Sequence, residues 1–240
     1  MGVHFRQNTQ PEETSTNLPK SLSHFLIQSD LDYKNSLSSI PLFDVKRTIF
    51  WDDNLRKMFA SIFYHLRGHF INFLWYVANF ADNEASKQII IQNIYEEIGI
   101  GNRFSHEKLY ERFAKECGVD IHDEIVNETN YIPFAKEFNK AHLSWLAQHD
   151  PIDHLCAFAA YERLDNLDYP FLVELAKSMK ISQHGMTFFN VHTHVDHFDT
   201  TLQLIVPIWE ESPQRLIESF HFIQTHQLGM WEQFSNVLFN

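Results

Sequence analysis

The sequence is short of the residues that break or staple a chain. Its 240 positions hold only 7 glycines, 8 prolines and 2 cysteines. Two thiols, Cys117 and Cys156, are too few for a disulfide framework. That sets aside the small disulfide-stapled secreted class and makes a reducing cytoplasm the expected compartment. So few breakers also argue against a fold of many short strands and turns. Positive charge is scarce: 19 Lys and Arg against 31 Asp and Glu give a formal net charge of -12. That balance disfavours nucleic acid and anionic membrane as general partners. No apolar run is long enough to span a bilayer. The opening stretch MGVHFRQNTQPEETSTN lacks the apolar segment of a secretory signal, and it carries Arg6 where a myristoylation site needs Ser or Thr.

What is abundant is apolar and aromatic. Hydrophobic residues make up 44%, and 22 of the residues are Phe, enough for a large core. Residues 1–18 are polar and read as a mobile tail. Residues 19–240 read as one all-α domain, a bundle of about seven to eight helices. A first helix opens near Leu18-Pro19 with Leu22, Phe25 and Leu26, and residues 31–46 read as a connector closed by Pro41. From Thr48 to Ala81 apolar residues recur at threes and fours, among them Phe59, Phe63, Leu66, Phe70, Phe73 and Val77. Gly68 in that run suggests a close helix contact. Asp82-Asn83 breaks the run and caps a helix over about Glu84–Glu97 that Gly99 and Gly101 end. Ser105 caps the next helix, which begins at His106 and stops at Gly118. Residues 119–132 look like a loop. Helices follow over 133–148, 151–165, 169–180, 185–206 and 213–238. Asp150-Pro151, Asp168-Tyr169-Pro170 and Ser212-Pro213 serve as start signals.

The chemistry concentrates at Phe188–Asp199, where three imidazoles and two carboxylates fall in eight residues, His192 to Asp199. On a helix His192, Asp196 and Asp199 stand at i, i+4 and i+7, on one face. A buried row of His and Asp is costly without a partner, and iron, manganese and zinc accept these donors. A wet, His-rich surface helix explains the row equally well when it is taken alone. Three other patches are candidates to complete a metal site. Glu96-Glu97 could equally be a solvated helix end, His106 an exposed first-turn residue, and Glu162 a salt-bridge partner of Arg163 or Arg112.

In order, Tyr95-Glu96-Glu97-Ile98-Gly99, His106-Glu107-Lys108-Leu109-Tyr110, Tyr161-Glu162 and His192 through Asp199 resemble the haem-oxygenase-like metal-dependent oxidases. These iron-containing redox enzymes are grouped with pyrroloquinoline-quinone synthase C and thiaminase II proteins. The resemblance runs from about Phe63 to the C-terminus. It implies a metal site of Glu97, His106, Glu162, His192 and Asp196, holding one or two iron ions or manganese. The family's last His falls on Asp199, a departure that puts a second metal in question. His194 and His197 point to other faces. The resemblance further implies a small organic substrate, dioxygen as co-substrate, Glu162 and Tyr161 at the reacting centre, and a homodimer as a common assembly. Tyr64 and Trp51 are further aromatics that are redox-active or simply packed.

Three functions therefore compete. The first is a dioxygen-activating oxidase or oxygenase. The second is a thiaminase-II-like hydrolase using Cys156, six residues before Glu162, although a Cys in Leu155-Cys156-Ala157-Phe158 is more often buried and inert. The third is a non-enzymatic interaction protein on the same scaffold.

Overall fold

Six of the helix starts are fixed by side chains that close the first turn. Asp44, Asp52, Asn83, Ser105, Asp120 and Asp150 each accept a hydrogen bond from a backbone N–H two or three residues on. Each satisfies a donor that the helix itself leaves unpaired. The computed structural model describes residues 18–101, 103–194 and 198–239, without the side chain of His194. Apart from Leu18, the tail expected over residues 1–18 lies outside them.

Among the described residues there are eleven α-helices and no strand. They are α1 (Lys20–Ser39), α2 (Val45–Thr48), α3 (Asp53–Phe80), α4 (Glu84–Glu97), α5 (His106–Glu116) and α6 (Ile121–Asn127). The rest are α7 (Pro133–Ala147), α8 (Pro151–Ser178), α9 (Thr187–His194), α10 (Phe198–Glu211) and α11 (Pro213–Phe239). Eight of them run eleven residues or longer, and α2, α6 and α9 are short. The all-α, single-domain bundle stands as expected. The helix α8 lies at its centre against α3, α9, α10 and α11, while α3 packs on α4, α5 and α7. Phenylalanine fills the space between: Phe59 stacks on Phe234 at 5.2 Å, and Phe113 meets Phe189 edge-on at 4.8 Å. Each fully buried ring of this kind stabilises the fold by about 1.5–3 kcal/mol.

Four local expectations need correction. Residues 31–39 are not connector but the second half of α1, because Tyr33 and Leu37 continue its buried stripe. Residues 121–127 form α6 inside the expected loop, capped by Asp120. Pro170 does not start a helix; α8 runs straight through it. Its ring is exposed while Asp168 and Tyr169 beside it are buried, so side-chain packing overrides the missing N–H. Gly68 makes no close helix contact, since an added Cβ would meet nothing within 4 Å.

Asp168 shows what holds α8 in place. Its Oδ1 accepts from the Tyr33 hydroxyl at 2.8 Å, and its Oδ2 from Trp231 Nε1 at 3.2 Å and Gln227 Nε2 at 3.4 Å. Three neutral donors from α1 and α11 thus converge on one buried carboxyl. Burial raises its pKa to about 7, against the pull of the Tyr33 and Trp231 hydrogen bonds. Asp168→Ala strands those donors in the core, and each costs about 1–3 kcal/mol unpaired. The variant is expected to melt roughly 10 °C below wild type, and a drop under about 2 °C would show that the network carries little stability.

A second buried polar group lies between α3, α7 and α11. His142 is fully buried, its Nδ1 donates to Phe138 O at 3.1 Å, and its Nε2 has no partner. Burial, helped by His69 and His226, lowers its pKa to about 3. Folded His142 stays neutral down to that value, whereas the unfolded imidazole takes a proton below about 6.5. Its contribution is therefore complete above pH 6.5 and is lost as pH falls toward 3. Urea unfolding at pH 7.5 and 4.5 should show His142→Phe losing about 2 kcal/mol less than wild type across that interval. Equal losses would mean that His142 is not the proton-excluding group.

Candidate metal centre

The first two donors are set by one tight turn. Glu97 is the last residue of α4, and His106 the first of α5. Between them Gly99 takes φ +77°, and a Cβ there would come within 2.5 Å of Ser105 N and 2.8 Å of Arg103 O. Only glycine fits that approach. Ser105 Oγ then accepts from Lys108 N at 3.2 Å and starts α5 with His106 turned inward. His106 Nδ1 ends 2.8 Å from Glu97 Oε1 without the alignment of a hydrogen bond.

The third donor comes from α9. His192 Nδ1 approaches Phe188 O at 2.7 Å. A carbonyl can only accept, so Nδ1 carries the proton and Nε2 keeps a free lone pair. The ring stacks on Tyr169 of α8 at 4.0 Å and 5°, and lies 4.4 Å from the His106 ring. Glu97, His106 and His192 thereby offer donor atoms all within 4.8 Å of one another. Two ligands each about 2.1 Å from one ion stand about 3–4 Å apart, so the three form a candidate site for a single metal ion.

Electrostatics keeps two of these side chains in ligand form. Burial alone would push the Glu97 carboxyl up, but His106, His192 and Arg67 outweigh it and bring its pKa to about 2. Burial and the neighbouring His106 lower His192 to about 3 despite the opposing Glu97 charge. At neutral pH the first is an anion and the second a neutral imidazole.

Two cavities adjoin the cluster. The smaller, about 20 Å³, is lined by Glu97, His106 and His192 together with Glu162, Asp165 and Asn93. The larger, about 60 Å³, has room for several waters or a short organic chain. Glu97, His192, Arg67, Asp165, Tyr161 and Gln227 line it, with Phe63, Phe70 and Trp231 among its apolar walls. A surface cleft at Gly68, Ile71 and Ser105 shares Arg67 and Glu97 with this inner space.

The residues anticipated from sequence are distributed as follows. Glu97, His106 and His192 come together. Glu162 is 3% exposed and lines the smaller cavity beside them. Tyr161 lines the larger one, packed against Phe70, Phe73 and His142. Asp196 and His197 lie outside the described residues, as does the side chain of His194. Asp199 is exposed in the first turn of α10 and lines neither cavity. Trp51 packs on Phe59 and Phe239 at the other end of α3, and Tyr64 packs beside His65 and Tyr110. Cys156 is fully buried, and burial pushes its thiol up to about 12.

Sequence reasoning missed Asp165, Tyr169 and Asn93. Asp165 lies three residues after Glu162 and Tyr169 lies seven after Glu162, which puts all three on one face of an unbroken helix. Ending the expected helix at residue 165 separated Tyr169 from that face. Asn93 precedes Glu97 by one turn of α4. Burial, with the charges of Asp168 and Glu97, raises the Asp165 carboxyl well above the usual carboxylate range.

Comparison with known proteins agrees with this geometry. No curated protein matches the chain. Among solved structures, a domain of unknown function with a haem-oxygenase-like fold from Shewanella denitrificans superposes with a TM-score of 0.69 at 14% identity, covering 89% of this chain and 91% of that one. A CADD-like protein of unknown function from Nostoc punctiforme gives a TM-score of 0.68 at 14% identity, covering 90% of this chain and 100% of that one. These likenesses establish the fold alone. Neither singles out the quinone-synthase or thiaminase branches. A family model described as iron-containing redox enzyme matches residues 57–217, about two thirds of the chain, spanning Glu97, His106, Glu162 and His192. With the fold, the inward-facing donors and this match in agreement, the chain belongs to the haem-oxygenase-like family of iron-containing redox enzymes.

Proposed function

We propose that the protein is a non-haem iron enzyme, with manganese as the alternative ion, that uses dioxygen to oxidise or oxygenate a small organic substrate. The observation that carries this reading is the donor set, two imidazoles and one carboxylate within 4.8 Å of one another. That composition suits a ferrous ion with open coordination positions better than a closed structural zinc site. Bound there, the ion would supply electrons and open positions for dioxygen.

The chain's own groups have separable tasks in this reading. Glu97 binds as an anion and His192 through its bare Nε2. The Phe188 carbonyl and the Tyr169 ring hold His192 at its angle, the kind of outer support that metal-bound imidazoles need. Glu162 stands beside the three as a further ligand or as a proton carrier, and Asp196 would complete the set. A second ion would draw on those two carboxylates. Asp199 is left out because it is exposed. The Tyr161, Phe63, Phe70 and Trp231 rings keep the larger cavity dry around an organic substrate. The Gly68 cleft is the entry route.

His192→Ala removes a ligand nitrogen. It is expected to weaken ferrous-iron binding by roughly 100-fold or more, since losing an outer partner alone costs 10–100-fold. Metal analysis after anaerobic reconstitution checks this: equal iron in wild type and variant, or none in either, contradicts the reading. Asp199→Ala should retain its iron. Cys156→Ala should keep both its iron and any oxidative turnover, because a buried thiol with a raised pKa is a poor nucleophile. Loss of turnover with iron still bound would favour the hydrolase reading.

A further inference from the structure

Beyond the metal cluster, the larger cavity holds two acceptors that nothing in the fold uses. Asp165 lines both cavities. Among the described residues no hydrogen bond or ion pair reaches its carboxylate. The charged neighbours are engaged elsewhere. Asp168 accepts from Tyr33, Trp231 and Gln227. Arg67 donates to Glu107 Oε2 at 3.3 Å and lies over the Tyr110 and Phe188 rings. The second acceptor is the Gln227 carbonyl. Gln227 is 5% exposed, lines the same cavity, and its Oε1 has no partner. Its orientation is not arbitrary. Tyr33 and Trp231 use Asp168 as an acceptor, so the Gln227 amide must turn its NH₂ to Asp168 and leave its carbonyl free.

A carboxyl group and an amide oxygen, both unpaired and walled by aromatic rings, suit a ligand rich in donors and positively charged. Leaving them unpaired is costly in so apolar a space. The faces of Trp231, Tyr161 and Tyr169 add attraction for a cation. Anions are disfavoured, since the cavity already presents the ionised Glu97 and two further buried carboxyl groups, Asp165 and Asp168, beside Arg67.

We propose that the larger cavity is an ammonium-binding subsite, in which Asp165 and the Gln227 carbonyl hold the protonated amine of a short-chain primary-amine substrate. This rests on the function proposed above for its place beside the metal cluster, and it narrows the substrate to amines. The amino group docks at Asp165, and the carbon chain lies along Phe63, Phe70 and Met230. A cation beside Asp165 favours its ionised form.

Titration calorimetry of the full-length chain with n-butylamine, n-butanol and butyrate at pH 7.5 tests the proposal. Butylammonium should bind at least tenfold tighter than either neutral or anionic isostere, a gap of about 1.4 kcal/mol or more. Asp165→Asn, nearly isosteric, should abolish that preference. Gln227→Met should weaken amine binding several-fold, and thermal melts show whether each variant is folded. Equal binding of the three probes, no binding of any, or unchanged amine binding by a folded Asp165→Asn overturns the proposal. Iron content is read in parallel. An iron-free wild type that still prefers the amine removes the metal reading and leaves the subsite. If Asp165→Asn loses iron as completely as His192→Ala, Asp165 is a metal ligand and the subsite assignment fails.

Discussion

The structure turns on the cost of keeping Glu97 ionised at a place where three helices meet. Burial would put a proton on this carboxylate, and His106, His192 and Arg67 hold it off. The same burial strips the proton from His192. The outcome is an anion and a bare imidazole nitrogen beside the His106 ring, all lining one small cavity. Donor atoms so close need positive charge among them. A divalent ion meets that need directly, which is why the donor set says more about function than the bundle around it.

The bundle's contribution is rotational precision. Helix α8 carries Glu162, Asp165, Asp168 and Tyr169 along one face. Asp168 is locked by donors from α1 and α11. That lock fixes the angle at which Glu162 and Asp165 face the cavities and at which Tyr169 supports His192. Stability and site geometry therefore share a helix, and a change that loosens Asp168 should also misplace the groups one and two turns before it. At the other side the Gly99 turn sets the spacing of Glu97 and His106, where any Cβ would collide with backbone.

Much of this was legible in the sequence, for local reasons. Asp82-Asn83, Ser105 and Asp150 announced helix starts because a short polar side chain caps its own turn. Glu97, His106 and His192, the positions the family resemblance pointed to, come together as a candidate cluster, with donor atoms within 4.8 Å of one another. What was hidden depends on contacts distant in the chain. Tyr33 is a single aromatic in a polar stretch, and its burial follows from Asp168, 135 residues away. Pro170 read as a helix start because its local effect is to break helices, and the anchoring of Asp168 and Tyr169 overrides that. Tyr169 was missed for the same reason, since its alignment with Glu162 and Asp165 appears only when α8 is continuous. Asp199, the position of the family's last His, is exposed in the first turn of α10.

The most direct test is a crystal of the protein grown or soaked with ferrous iron under anaerobic conditions, with diffraction recorded on both sides of the iron absorption edge. An anomalous peak should lie between Glu97 Oε1, the free imidazole nitrogen of His106 and His192 Nε2, about 2.1 Å from each. A map with no peak there at full soaking, or with iron held only by exposed carboxylates, would contradict the account and leave the three side chains as a metal-free polar cluster.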